Sequence, residues 1–151
     1  MHIQLDNLTG PEIAALLQEH LNDMNAVSPP ESKHALDLTA LKASDISFWT
    51  LWQQQQLAGC VALKQLNTRQ AEIKSMRSAT AFRGQGIGKL LLHHVITEAK
   101  SRGYQQLYLE TGAMEYFAPA RSLYRSFGFE PCGPFAQYKE DPNSVFMRLQ
   151  L

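Results

Sequence analysis

The chain has no cysteine framework, no excess of either charge and no long apolar run, and each absence removes a class of protein. Its two cysteines, Cys60 and Cys132, stand among apolar residues without metal-ligand spacing. That argues against a disulfide scaffold or a zinc module and for two buried thiols in a reducing compartment. Lysine and arginine number 14 against 14 acidic residues. A balanced chain has no global field to draw it to nucleic acid or anionic lipid, so any cationic site has to be local. No stretch approaches the ~18 apolar residues of a membrane span. Residues 1–9 have neither the basic start nor the apolar core of a secretory leader. The expectation is a cytoplasmic protein with neither a membrane nor a nucleic-acid partner. With 151 residues and no repeat or low-complexity tract, the chain is read as one domain over 1–151, long enough to bury a core unaided.

What is present is a regular alternation of strand and helix patterns. His2–Asp6 alternates like an edge strand, and Thr9-Gly10-Pro11-Glu12 reads as a capping box with Thr9 at the N-cap. The helix beyond it carries Ile13, Leu16, Leu17, Leu21 and Met24 on one face. Ser28–Ser32 breaks the chain before a short second helix through His34 and Leu36. Ile46–Trp52 and Leu57–Leu66 read as an antiparallel hairpin joined by glutamines. Ala71–Ser78 is the next strand, and a helix from Leu90 to about Arg102 repeats apolar residues at Leu91, Leu92, Val95, Ile96 and Ala99 before stopping at Gly103. Gln105–Glu110 follows as a strand, which makes 71–110 a strand–helix–strand crossover with parallel strands. Pro119–Phe127 reads as the last helix, and Phe129–Cys132 with Ser144–Leu149 as a closing antiparallel pair.

The informative stretch is Arg83-Gly84-Gln85-Gly86-Ile87-Gly88-Lys89, a glycine turn between a strand and a helix. Such a turn presents unpaired backbone N–H groups at the positive end of a helix dipole and so makes an anion cradle, most often for phosphate. A P-loop needs four residues between its glycines and Lys-Ser/Thr after the last, whereas here Gly88 is followed by Lys89-Leu90. A dinucleotide fingerprint runs G-x-G-x-x-G, and these glycines run G-x-G-x-G. The remaining pattern, Arg/Gln-x-x-Gly-x-Gly/Ala, fits at Arg83, Gly86 and Gly88. Arg83 and Lys89 add cations at its mouth, and glycine lets backbone approach phosphate oxygens closely.

That pattern resembles motif A of the GCN5-related N-acetyltransferases, the GNAT superfamily. The resemblance extends to 71–77, similar to the family's fourth strand, and to Ala120-Arg121-Ser122-Leu123-Tyr124-Arg125-Ser126-Phe127-Gly128-Phe129, similar to its motif B helix. It covers essentially the whole chain. It implies the α/β acyl-CoA N-acyltransferase fold: a mixed, mostly antiparallel sheet with a parallel central strand pair, flanked by helices. It also implies acetyl-CoA as co-substrate and no metal. The coenzyme would lie against Met76, Ser78, Arg83, Gly84, Gln85, Gly86, Ile87, Gly88 and Lys89, with the pantetheine arm pairing to the fourth strand. Many family members place Asn where this chain has Phe117.

Acetyl transfer to an amine requires that the amine lose a proton, that the oxyanion be stabilised and that the leaving thiolate be protonated. By its place in motif B, Tyr124 is the candidate acid; a phenol with an ordinary pKa of about 10 keeps its proton at neutral pH. Glu72, eleven residues before Arg83, stands where some family members place a glutamate base, and Glu110 at the end of the next strand is its rival. A carboxylate needs burial or a relay water to serve. An acceptor that arrives neutral needs no base. His34 is a candidate for acceptor contact, because the region after the first helix borders the acceptor pocket in this family. Trp49, Trp52, Tyr116 and Tyr138 are assigned to core or rim, with lining of the acceptor pocket as the alternative, and His93 and His94 to helix packing or a solvated face. The implied activity is direct acetyl transfer to a small amine or an amino-acid-like acceptor, in a monomer or homodimer. A protein or peptide acceptor, and a non-catalytic acyl-CoA sensor, are the alternatives.

Overall fold

The computed structural model describes residues 1–27 and 38–151, so the expected break at 28–32 and His34 lie outside the described residues. A seven-stranded sheet runs in the order β1-β2-β3-β4-β5-β7-β6. Its strands are β1 (His2–Leu5), β2 (Ile46–Gln53), β3 (Gln56–Gln65), β4 (Gln70–Ser78), β5 (Gln106–Gly112), β6 (Glu130–Cys132) and β7 (Ser144–Gln150). All neighbours are antiparallel except β4 and β5, which matches the fold class expected. Helices α1 (Pro11–Val27), α2 (Leu38–Leu41), α3 (Ile87–Ser101) and α4 (Ala118–Ser126) cover the two faces. None of the described helices is long and apolar enough to cross a membrane.

Strand alternation sorts the core into two layers. Val61 and Leu63 of β3, Ala71 and Ile73 of β4, Leu107 and Leu109 of β5 and Met147 of β7 point to one face, where α3 buries Leu91, Leu92, Val95 and Ala99. On the other face Phe48, Cys60 and Ala62 meet Ile13, Leu16 and Leu17 of α1 and Leu41 of α2. The closest approach of helix to sheet is at Gly59. A Cβ there would stand 2.7 Å from the Arg77 carbonyl oxygen and from Ile87 Cγ2, and 2.9 Å from Leu91 Cδ1. The first turn of α3 therefore lies directly on β3.

Two local expectations differ. Thr9 does not cap α1: its hydroxyl donates to Asn7 Oδ1 (2.6 Å), and Pro11 opens the helix as its first residue behind Gly10, whose carbonyl accepts from Ala14 N–H. Proline suits that position because its missing N–H would be unpaired there anyway. Helix α3 begins at Ile87, three residues before the expected Leu90, with Gly86 at the N-cap in the left-handed region (φ 80°).

The parallel ladder between β4 and β5 ends early. Pairing runs from Gln70↔Gln106 to Ile73↔Leu109, although β4 continues to Ser78 and β5 to Gly112. A bulge in β4 accompanies the separation. Its register against β3 shifts between Cys60↔Arg77 and Ala62↔Lys74, and Ser75 takes φ 51°. An extra residue on one strand bends it, so β4 leaves its parallel neighbour and a cleft opens between the two. Replacement of Gly59 by alanine is expected to cost about 1–3 kcal/mol, as overpacking typically does, measured by chemical denaturation, because one of its clashes is with the backbone carbonyl of Arg77, which cannot swing aside as a side-chain tip can.

Candidate active site

The glycine turn closes the open end of this cleft. After β4 a single 3-10 turn, Thr80–Phe82, leads to Arg83. Gly84 and Gly86 adopt φ 78° and 80°, a region costly for residues with a Cβ. A Cβ on either would meet nothing within 4 Å and would point into open space. The first-turn amides of α3, at Ile87, Gly88 and Lys89, have no intrahelical acceptor by helix geometry and mark its positive end. Gly88 has a second reason to be glycine, since a Cβ there would come within 3.1 Å of Leu123 on α4. Turn, helix end and open space together form a cradle that an anion fits.

From this cradle a groove of about 590 Å³ runs inward past Met76 and Ser78 on one side and Ala120, Leu123 and Tyr124 on the other. It includes every sequence-predicted coenzyme contact except Gln85, which lies on the exposed outside of the turn. Beyond it, between the separated strands, lies a smaller cavity of about 120 Å³ bordered by Glu72, Lys74, Glu110, Thr111 and Tyr138. Tyr124 lines both. Its ring is buried edge-on to Phe129, centroids 5.8 Å apart. Burial, and secondarily the charge of Glu110, pushes its hydroxyl above the ordinary phenol range, so it carries a proton throughout the physiological range. Phe117 is buried where the groove meets the cavity.

The two candidate carboxylates have different surroundings. Glu72 is buried, and its Oε2 accepts hydrogen bonds from Tyr138 Oη (2.7 Å) and Lys74 Nζ (3.2 Å). Glu110 is half-buried, with no such clamp among the described residues. Burial raises its pKa to about 7, against the pull of the Ser144 hydroxyl and the Lys74 ammonium and with a further push from the Glu72 and Asp141 carboxylates. A carboxyl that titrates near neutrality can exchange a proton at working pH.

Helix α1 brings charges to the groove that sequence reading had not placed there. Buried Arg77 donates to Glu19 (2.6 Å) and Asp23 (2.7 Å), and Glu19 also accepts from the Thr80 backbone N–H (3.0 Å) and the Thr80 hydroxyl. Asp23 further accepts from Arg83 (3.2 Å) and Tyr116 (3.2 Å), tying α1 to both lips of the groove mouth. The Arg77 hydrogen bond holds Asp23 below the usual carboxylate range. His20 borders groove and cavity alike. Burial and then Arg77 lower its pKa to about 4, so it is neutral, and its Nδ1 has no partner among the described residues. Its position could have been read from periodicity, because His20 follows Leu16 and Leu17 at helical spacing on the apolar stripe.

Of the four aromatic residues assigned to core or rim, Trp49 packs edge-on against His94 (5.1 Å) in the α3 layer and Trp52 donates to Thr50 (2.8 Å) at the β1 side. Tyr116 and Tyr138 stand at the site. The cysteines do not take part. Cys60 is buried, with burial driving its thiol up to about 12, and it lines neither cavity of the site. Cys132 is only half-buried, unlike the expectation for both thiols.

A model of the acetyltransferase (GNAT) family matches residues 13–129. The chain belongs to the GNAT family. It is 54% identical to the uncharacterized N-acetyltransferase YsnE of Bacillus subtilis over 100% of both chains. It is 42% identical to the uncharacterized N-acetyltransferase YedL of Escherichia coli, over 99% of this chain and 94% of that protein. A GNAT family acetyltransferase from Elizabethkingia anophelis with acetyl-CoA bound shares the fold with a TM-score of 0.72 at 22% identity, over 99% and 97% of the two chains.

In this GNAT acetyltransferase Glu110 carries a folded-state pKa above its ordinary value of 4.5. The unfolded chain therefore loses the proton first, and stability falls as pH rises from about 4.5 to about 7. Glu110→Gln is expected to be more stable than the parent at pH 8, on the order of 2 kcal/mol, with the gain absent near pH 4. Denaturant titrations at the two pH values measure it.

Proposed function

We propose that this acetyltransferase moves the acetyl group of acetyl-CoA directly to the amine of a small acceptor, with Glu110 as general base and Tyr124 as general acid. The observation that carries the reading is that Tyr124 is shared by two cavities, one running to the anion cradle and the other holding Glu110. In the long groove the diphosphate would rest on the turn at 84–89 with Arg83 and Lys89 beside it, and the pantetheine arm along Met76 and Ser78. That would bring the thioester to Tyr124. In the small cavity the acceptor would face Glu110. The carboxylate takes a proton from the ammonium, the nitrogen attacks the acetyl carbon, and as the carbon–sulfur bond breaks the phenol protonates the departing sulfur and is restored by the second proton that the acylated nitrogen releases. The buried thiol of Cys60, outside both cavities, supports transfer without a cysteine carrier. The clamp on Glu72 favours Glu110 as the base, since the Oε2 of Glu72 already accepts two hydrogen bonds.

A cavity of about 120 Å³ between the strands favours a small amine or amino-acid-like acceptor. One feature favours the other enzyme reading. An open groove of about 1180 Å³ lies beyond Tyr138, bordered by Lys64, Tyr108, Phe135 and Arg148, and it would admit an extended peptide. Thiol release measured across a panel of small amines and peptide N-termini separates the two, and release with peptides alone would reject the small-acceptor reading.

With an accepted amine, kcat/KM is expected to rise about tenfold per pH unit below about 7 and to level off above, as Glu110 loses its proton. Glu110→Gln should abolish that limb and lower kcat by about 10²–10⁴. Tyr124→Phe should lower kcat by a similar factor while calorimetry still shows acetyl-CoA binding. Retention of full rate by either variant removes its assigned role.

A further inference from the structure

Glu72, Lys74 and Tyr138 form a closed ring of contacts that the acetyl-transfer reading does not itself use. The Tyr138 hydroxyl donates to Glu72 Oε2 at 2.7 Å and accepts from Lys74 Nζ at 2.9 Å, while Lys74 Nζ pairs with Glu72 Oε2 at 3.2 Å. The side chains of Lys74 and Glu72 are only 9% and 3% exposed, so solvent screens their charges little. Tyr138 belongs to the 133–141 segment, and its ring packs on Phe135 (5.0 Å) and Phe146 (5.5 Å). The ring of contacts thus joins β4 to that segment at the boundary between the small cavity and the open groove, and both spaces are bordered by all three residues.

We propose that this Glu72–Lys74–Tyr138 clasp is a positioning device: it sets the charge of Glu110 from one side of the small cavity and pins the 133–141 segment as the wall between cavity and groove. The proposal rests on the reading of Glu110 as the base, but its physical content does not. Glu110 stands opposite Phe146 on β7. The groups that act on it are Glu72 and Lys74 from β4, Ser144 from β7, Asp141 from the segment, and Tyr138 and Tyr124, which border the same cavity. Glu72 repels a charge on Glu110 and Lys74 attracts it. Held together, the two oppose each other, and Glu110 is left to its burial. Held apart, either would move its titration one way, because an opposite charge beside a carboxyl lowers its pKa and a like charge raises it. Glu72 therefore acts through Lys74 and Glu110 and does not need to touch the substrate.

The test is a carbon-13 carboxyl titration of protein labelled at glutamate, with the Glu110 resonance assigned by its loss in Glu110→Gln. Glu72→Gln should lower the Glu110 midpoint and Lys74→Met should raise it, by about 1 unit each, and the double variant should return close to the parent. Midpoints that stay fixed in both single variants, or move the same way, overturn the proposal. Because breaking a buried pair can unfold a protein, a third variant keeps the test open. Tyr138→Phe retains the ring packing and removes only the hydroxyl. Backbone amide exchange across residues 133–141 should then speed up about tenfold or more, and unchanged exchange there overturns the pinning. If the titration midpoints shift as expected while the acid limb of the rate profile does not follow them, the clasp stands and Glu110 is not the base.

Discussion

Strands β4 and β5 pair in parallel only as far as Ile73 and Leu109, and the site exists because that ladder stops there. A fully zipped pair would leave no room between the strands and would bury their polar groups in hydrogen bonds to each other. The bulge at Ser75 turns β4 aside, so that Lys74–Met76 and Glu110–Gly112 become walls instead of neighbours. The crossover supplies the remaining elements. A parallel connection is usually made by a helix, and α3 starts where the glycine turn after β4 ends, so its positive end and the unpaired amides of its first turn lie at the mouth of the cleft. Helix α4 completes the groove from the far side with Leu123 and Tyr124.

Charge around this cleft is largely cancelled in pairs. Arg77, buried under α1, is matched by Glu19 and Asp23, and Lys74 is matched by Glu72. Arg83 stands apart because it is half-exposed and shares Asp23 with Arg77, so its charge at the groove mouth is only partly cancelled. Glu110 stands apart for the opposite reason: it is sunk in the cleft without an ion pair among the described residues, and burial raises its pKa to about 7. Two residues left incompletely matched thus sit at the two ends of one continuous path, a cation at the outer end and a titrating carboxyl at the inner end.

Short-range pattern carried much of this. The glycine turn and the place of Tyr124 were legible because each is written in residues within one turn of each other, and the parallel crossover because its strand, helix and strand follow one another in sequence. The errors are also local competitions that packing decided. Helix α3 extends back to Ile87 through a glycine that sequence would leave outside a helix, because Gly88 lets α4 come close at Leu123. The capping box at Thr9 and Glu12 lost to Gly10 and Pro11, because proline's fixed backbone angle suits the first helical position and its missing N–H would be unpaired there anyway. His20, Lys74 and Asp23 were passed over because their meaning lies in what faces them from other elements. The same holds for Tyr138, which was assigned to core or rim.

The sequence by itself determined where a glycine turn opens a helix and which phenol stands on the groove beside it. Backbone conformation at glycines and the dipole of a helix end are properties of contiguous residues. Only the tertiary structure gave the two carboxylates different surroundings. Glu72 and Glu110 read alike along their strands, and they differ because Tyr138, sixty-six positions from Glu72, closes on one and not on the other. The acidity of a buried group is set by its neighbours in space, and that arrangement appears only when the sheet, the 133–141 segment and α4 have come together.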